Sequence, residues 1–327
     1  MLPRLPRRAA LAAAASLALP WTRVRAQTDY PNKTVRVIVP LSPGAGSDIA
    51  TRIVTDALAK VTGQSFVVDN RPGGAGNIGT AMGAKATPDG YTLVSGGLGI
   101  TVVNQFMYSR EQMGFDPVAD LTPISLLAKA PFALAARPSF GPNNIQELVA
   151  AAKSKPKSIE VAITSAACRL AFELFQKSTD TALFPVQYKT FGQAATDTAS
   201  GVVALSLDTV AALRPFLSNG RLKALGVTTR QASPLAPGVP SFAEQGVSNY
   251  EVVGYISLYG PRGMSSEQAA FLSREIDRIL KQPDTVKRLG DLGFEPGGGT
   301  PQFLAEMEQQ QRALWGPIIK AANMTPG

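Results

Sequence analysis

Short apolar runs alternate with amphipathic helical patterns along most of the chain, and this alternation limits the fold more than any other feature. Val35–Val39 reads as a strand, and Ile49, Ile53, Val54, Leu58 and Val61 after it keep helical spacing. Phe66–Val68, Tyr91–Val94, Ala133–Ala136, Glu160–Ile163, Val186–Tyr188, Val202–Leu207, Leu222–Val227 and Glu251–Tyr259 read as further strands. Helical patterns lie between and after them, at Ile145–Lys153, Leu170–Lys177, Ala194–Ser200, Val210–Leu217, Ser265–Leu280 and Pro301–Ala322. Strands alternating with helices predict an α/β fold built on a parallel sheet. Leu126–Phe132 and Glu251–Tyr259 read as two crossings between domains. The first domain is then discontinuous, residues 27–128 and 252–327, and residues 129–251 form the second. Two α/β domains joined this way enclose a cleft, where ligands of such proteins usually sit.

The first 26 residues read as a cleaved leader. Arg4, Arg7 and Arg8 are basic, Ala9–Pro20 is apolar, and Val24-Arg25-Ala26 fits a small-residue cleavage site. The apolar run is too short for a bilayer core of about 30 Å. The pair Arg7-Arg8 hints at twin-arginine export, and the expected location is the periplasm. The leader holds five arginines and no acid, so the formal charge of +8 falls to +3 in the remainder. The other cations are scattered, which excludes nucleic acid as a partner. Cys168 is the single cysteine, so no intramolecular disulfide forms. The chain has no histidine, which removes histidine-based triads, histidine zinc sites and a histidine general base. No catalytic residue, metal ligand or cofactor is expected.

Four places carry polar chemistry. Pro43–Asp48 turns from the first strand into a helix, and its amides near Gly44–Ser47 suit a carboxylate. The same glycines and Ser47 or Asp48 also fit a plain capped turn. An anion at a helix end is worth roughly 0.3–2 kcal/mol, whereas micromolar affinity needs about 8 kcal/mol, so a second group of contacts must face the first. Ile163–Arg169 repeats the arrangement, with Thr164 and Ser165 before a helix at Leu170. Asp208 ends a strand and suits either a ligand contact or the cap of the next helix. Gly74, Gly76 and Gly79 match dinucleotide-loop spacing, but the acid that should close the next strand is missing, and a structural turn near the hinge is expected instead.

Longer ordered motifs accompany these loops: VRVIVPLSPGAGSDIATRI, VVDNRPGGAGNIGT, TPDGYTLVSG, FDPVADLTPISLLA, VQYKTFGQAATD, GRLKALGVTT and PGVPSFAEQG. Together they resemble the tripartite tricarboxylate transporter substrate-binding proteins, or Bug receptors, from about Tyr30 to Met324. The resemblance implies a two-domain type 2 periplasmic-binding-protein fold with a central ligand cleft. It implies a small carboxylic acid held by helix N-termini of both domains, with Leu41, Ser42, Gly46, Ser47, Asp48, Ser95, Gly96, Thr164, Ser165, Ala166 and Asp208 at the site. It also implies a monomer that delivers its ligand to a two-protein membrane permease; the alternative is a co-receptor for a sensor kinase. One segment departs from the family pattern. ITSAACRLAFELF is short, lacks the usual glycines, and carries Arg169 near a position usually held by histidine. Arg169 is therefore expected to favour ligands with a second acidic group.

Overall fold

A computed structural model describes residues 30–248 and 250–325. The leader expected over residues 1–26 lies outside them. Pro31 onward forms one compact unit. Among the described residues, no helix is long and apolar enough to cross a membrane.

The chain opens with β1 (Val35–Val39), α1 (Gly46–Thr62), β2 (Phe66–Asn70), α2 (Asn77–Ala84) and β3 (Thr92–Gly97). Short helices α3 (Asn104–Met107) and α4 (Arg110–Met113) lead into β4 (Leu121–Ala136). The middle holds α5 (Ile145–Ser154), β5 (Glu160–Ile163), α6 (Ala166–Thr179), β6 (Phe184–Gln187), α7 (Phe191–Ser200), β7 (Leu205–Thr209), α8 (Val210–Ser218) and β8 (Lys223–Val227). The chain returns through β9 (Val253–Pro261) and closes with α9 (Ser266–Leu280), α10 (Pro283–Asp291), β10 (Glu295–Gly298) and α11 (Pro301–Ala321).

Two parallel groups, β2-β1-β3 and β6-β5-β7, form the two halves. The sheet is mixed rather than wholly parallel, because the strands joining the halves run against their neighbours: β9 against β3 and β4, and β4 against β7, β8 and β10. Their direction is set by having to cross the molecule and return, not by a helical crossover.

The two segments read separately as Leu126–Phe132 and Ala133–Ala136 are one 16-residue strand, β4. Leu121–Pro131 of β4 pairs with β9, and Phe132–Ala136 pairs with β7. The change of partner falls at Pro131–Phe132. Thr228 pins it: its hydroxyl accepts from Phe132 N at 3.0 Å and donates to Val252 O at 2.6 Å. The β4–β9 register slips at Ile124 and Leu127, two buried bulge positions.

Hydrophobic spacing explains the helices against the first half. On α1, Ala50, Ile53, Val54 and Leu58 repeat at helical intervals and are all buried. A larger apolar cluster joins parts of the chain far apart in sequence. Leu98, Val102 and Val103 pack in it with Phe172 and Phe175 of α6 and Trp315 and Ile319 of α11.

Candidate functional site

The candidate site lies where α1, α6 and α8 begin. Each is the helix that follows a parallel strand, so each N-terminus stands at the carboxyl edge of the sheet. Helix α1 starts at Gly46, after the turn Pro40–Ala45, and no side chain caps it. Asp48 serves a different purpose. Its Oδ2 accepts from Gly44 N at 2.9 Å, and its Oδ1 accepts from Arg52 Nε and Asn70 Nδ2, both at 2.9 Å. Asn70 also donates to Leu41 O at 3.0 Å. Burial pushes the Asp48 carboxyl up, but bonds from Arg52, Gly44 and Asn70 outweigh it and hold the group below the usual carboxylate range. The network fixes the turn and leaves the first amides of α1 without a side-chain partner. Ser47 Oγ is buried there with no hydrogen-bond partner; among the described residues only Asn104 Oδ1 and Ser206 Oγ share that condition.

The facing wall comes from the middle of the chain. Ser165 caps α6, accepting from Cys168 N at 3.2 Å. Thr209, not Asp208, caps α8, accepting from Ala212 N at 3.2 Å. Asp208 instead accepts from Thr164 Oγ1 and, at 2.7 Å, from Thr209 N. Burial raises the Asp208 carboxyl despite these bonds. Cys168 is buried, and burial, with Asp208 adding to it, pushes its thiol up to about 12, so it is no nucleophile.

The two walls meet at close range. A Cβ on Gly46 would stand 3.7 Å from Thr209 Oγ1 and 3.5 Å from Phe294 Cζ. A Cβ on Gly99 would stand 3.3 Å from Ala167 N and 3.8 Å from the Ala166 methyl. The structure therefore brings Gly46 near Thr209, and joins Thr164 to Asp208 by a hydrogen bond, with Ser165 next to Thr164 at the cap of α6. Ser95 is fully buried and its Oγ accepts from Thr51 Oγ1 at 3.3 Å, while Ser42 is exposed. Gly96 lies under the Tyr259 ring. Arg169 turns along α6, with Nε 2.6 Å from Glu173 Oε1.

The glycines at 74, 76 and 79 have a packing explanation. Gly76 has φ +91°, and a Cβ on Gly79 would fall 2.5 Å from Arg71 O. They let α2 lie against the end of β1, and α2 also packs on β3 and on the returning strand β9. Among the described residues, no group of His, Cys, Asp or Glu is arranged to hold a metal.

Thr209, Gly99 and Phe294 were not among the residues picked from the sequence. A threonine directly after a strand was a usable cap signal. Phe294 sits in an unremarked turn before β10, so only the tertiary fold brings it to Gly46.

The tripartite tricarboxylate transporter family receptor pattern matches residues 50–324. The UPF0065 protein of the tcbD-tcbE intergenic region of Pseudomonas sp. is 31% identical, over 97% of this chain and 95% of its own length. Among solved structures, an adipate-bound R. palustris protein is 32% identical with a TM-score of 0.85, covering 90% of this chain and 98% of that one. MatC from Rhodopseudomonas palustris, with bound malate, is 28% identical with a TM-score of 0.81, covering 89% and 100%. The fold is accordingly that of the two-domain periplasmic binding proteins. The chain belongs to the tripartite tricarboxylate transporter family of receptors, and is a solute-binding protein rather than an enzyme.

Proposed function

We propose that this chain is an exported periplasmic receptor that captures a small organic dicarboxylate between its two halves and delivers it to a membrane permease. The observation that carries the reading is Ser47 Oγ, buried and unpartnered at the uncapped start of α1, next to Gly46, where a Cβ would stand 3.7 Å from Thr209 Oγ1. A carboxylate there would take up the hydroxyl and the first amides together. The second carboxylate would lie at the start of α6, among Thr164 and Ser165. Arg169 stands in the first turn of that helix and adds positive potential, moderated by Glu173. Leu41, Ser42, Gly46, Ser95, Gly96 and Ala166 shape the cavity by backbone, whereas Asp48 and Asp208 hold its walls. The halves, residues 27–128 with 252–327 and residues 129–251, close around the ligand and so favour docking to the permease.

Titration calorimetry with adipate, malate and matching monocarboxylates, on the wild type and Arg169→Ala, tests this. Dicarboxylates should bind the wild type, and Arg169→Ala should weaken them more than monocarboxylates, by about tenfold for a loss of 1.4 kcal/mol. Equal losses for both classes remove Arg169 from the reading; no binding of any acid removes the reading itself.

A further inference from the structure

Glu308 on α11 is a buried carboxylate, 2% exposed, that none of the site contacts above uses. Its Oε1 accepts from three hydroxyls: Thr101 Oγ1, Tyr259 Oη at 2.6 Å and Tyr255 Oη at 3.1 Å. Its Oε2 lies 3.4 Å from Arg312 Nη1. A carboxylate withdrawn from water needs such a set of partners. Burial, reinforced by the Glu308 charge, raises both tyrosines well above their ordinary range, so both remain donors.

The donors come from two separate pieces of the fold. Tyr255 and Tyr259 belong to β9, the returning crossing strand. Thr101 belongs to a π-helical turn, Leu98–Val103, that continues β3. Such turns are uncommon and are frequent at functional sites. Close packing holds this one on two sides. A Cβ on Gly96 would fall 2.6 Å from the Tyr259 ring and 3.0 Å from the Thr101 methyl. Gly99 lies against Ala167 N in the first turn of α6.

We propose that Glu308 is a positioning residue for the binding site: through Thr101 it locks the π-helical turn onto β9, and so sets where Gly96 and Gly99 stand against the ligand and the start of α6. The affinity part of this rests on the receptor reading above; the locking of the turn does not. Glu308 itself touches no ligand.

The test pairs hydrogen exchange over Leu98–Val103 with adipate titration. The variants are Glu308→Leu, which strands three hydroxyls, and Thr101→Val, which removes one donor at nearly constant volume. Glu308→Gln keeps the acceptor and should restore much of the effect. Val203→Ala, buried in a separate apolar cluster with Ala162 and Ala194, controls for a general loss of stability. Thr101→Val should speed exchange of the turn about tenfold, as one lost hydrogen bond allows, and weaken adipate by a similar factor. Val203→Ala should leave both readouts near wild type. If Glu308→Leu does not fold, Thr101→Val carries the test. Unchanged exchange over the turn in Thr101→Val overturns the proposal, as does an equal effect in Val203→Ala. Wild-type protein that ignores adipate counts against the receptor reading alone, because exchange needs no ligand.

Discussion

At the scale of single residues, two buried aspartates near helix starts have opposite proton affinities. Asp48 is held down by Arg52, Gly44 and Asn70 against the push of burial, whereas burial prevails at Asp208. For Asp48, stability is present above the unfolded carboxylate range, near pH 4, and is lost as pH falls through the lowered folded value. Asp48→Asn should therefore lose about 1–3 kcal/mol at neutral pH, with a deficit that shrinks in acid. Asp208 has the reverse sign: its contribution is present below the unfolded value and fades as pH rises through the raised folded one. Asp208→Asn should gain on the wild type over that same rise. Urea melts of both variants across the acid range check the pair, and parallel pH profiles would refute it. Residue type alone hid this contrast, because each aspartate follows a strand and precedes or opens a helix. What separates them is Arg52, one helical turn from Asp48, and the absence of any ion pair to Asp208 among the described residues.

At the scale of elements, apolar periodicity was a good guide wherever one face is buried. The strands at Val35–Val39 and Glu160–Ile163 have the bounds expected of them. Helix α6 begins at Ala166, four residues before the expected Leu170, because the Ser165 cap starts it and Ala-Ala-Cys adds little periodicity. Helix α10 and strand β10 were not anticipated. Only Thr285 and Leu289 of α10 are buried, and β10 reads EPGG, which has no strand-forming side chain. Yet the turn joining them packs tightly against the start of α8. Gly293 has φ +85°, and a Cβ there would fall 2.7 Å from Ala211 N and 2.8 Å from Ala211 Cα. Neither backbone atom can move away without shifting α8. Arg214 of α8 reaches back to donate to Asp291 O at 2.9 Å. Gly293→Ala should lose about 2 kcal/mol or more from strain and overlap. Gly290→Ala, where open space surrounds the site, should gain about 0.5–1 kcal/mol inside α10. Calorimetry on the two variants distinguishes them by sign.

At the scale of the whole molecule, the two halves share a strand, a pinned crossing and an apolar cluster. β4 belongs to both pairings, Thr228 ties both crossings, and α11 packs with α6 of the middle segment. Neither half can lose its structure without exposing part of the other. Heating should therefore give one cooperative unfolding transition, and two resolved calorimetric transitions would contradict that. The sequence announced the crossings as apolar segments, but not that one continuous strand serves both halves, since a change of pairing partner at Pro131–Phe132 leaves no local mark. The single thiol gives this arrangement a clock. Cys168 is sealed in the first turn of α6, with Ser165 Oγ 3.1 Å from its sulfur, where a thiol reagent finds neither access nor thiolate. Each labelling event thus records an excursion of α6 from its packing, written irreversibly into the mass of the chain.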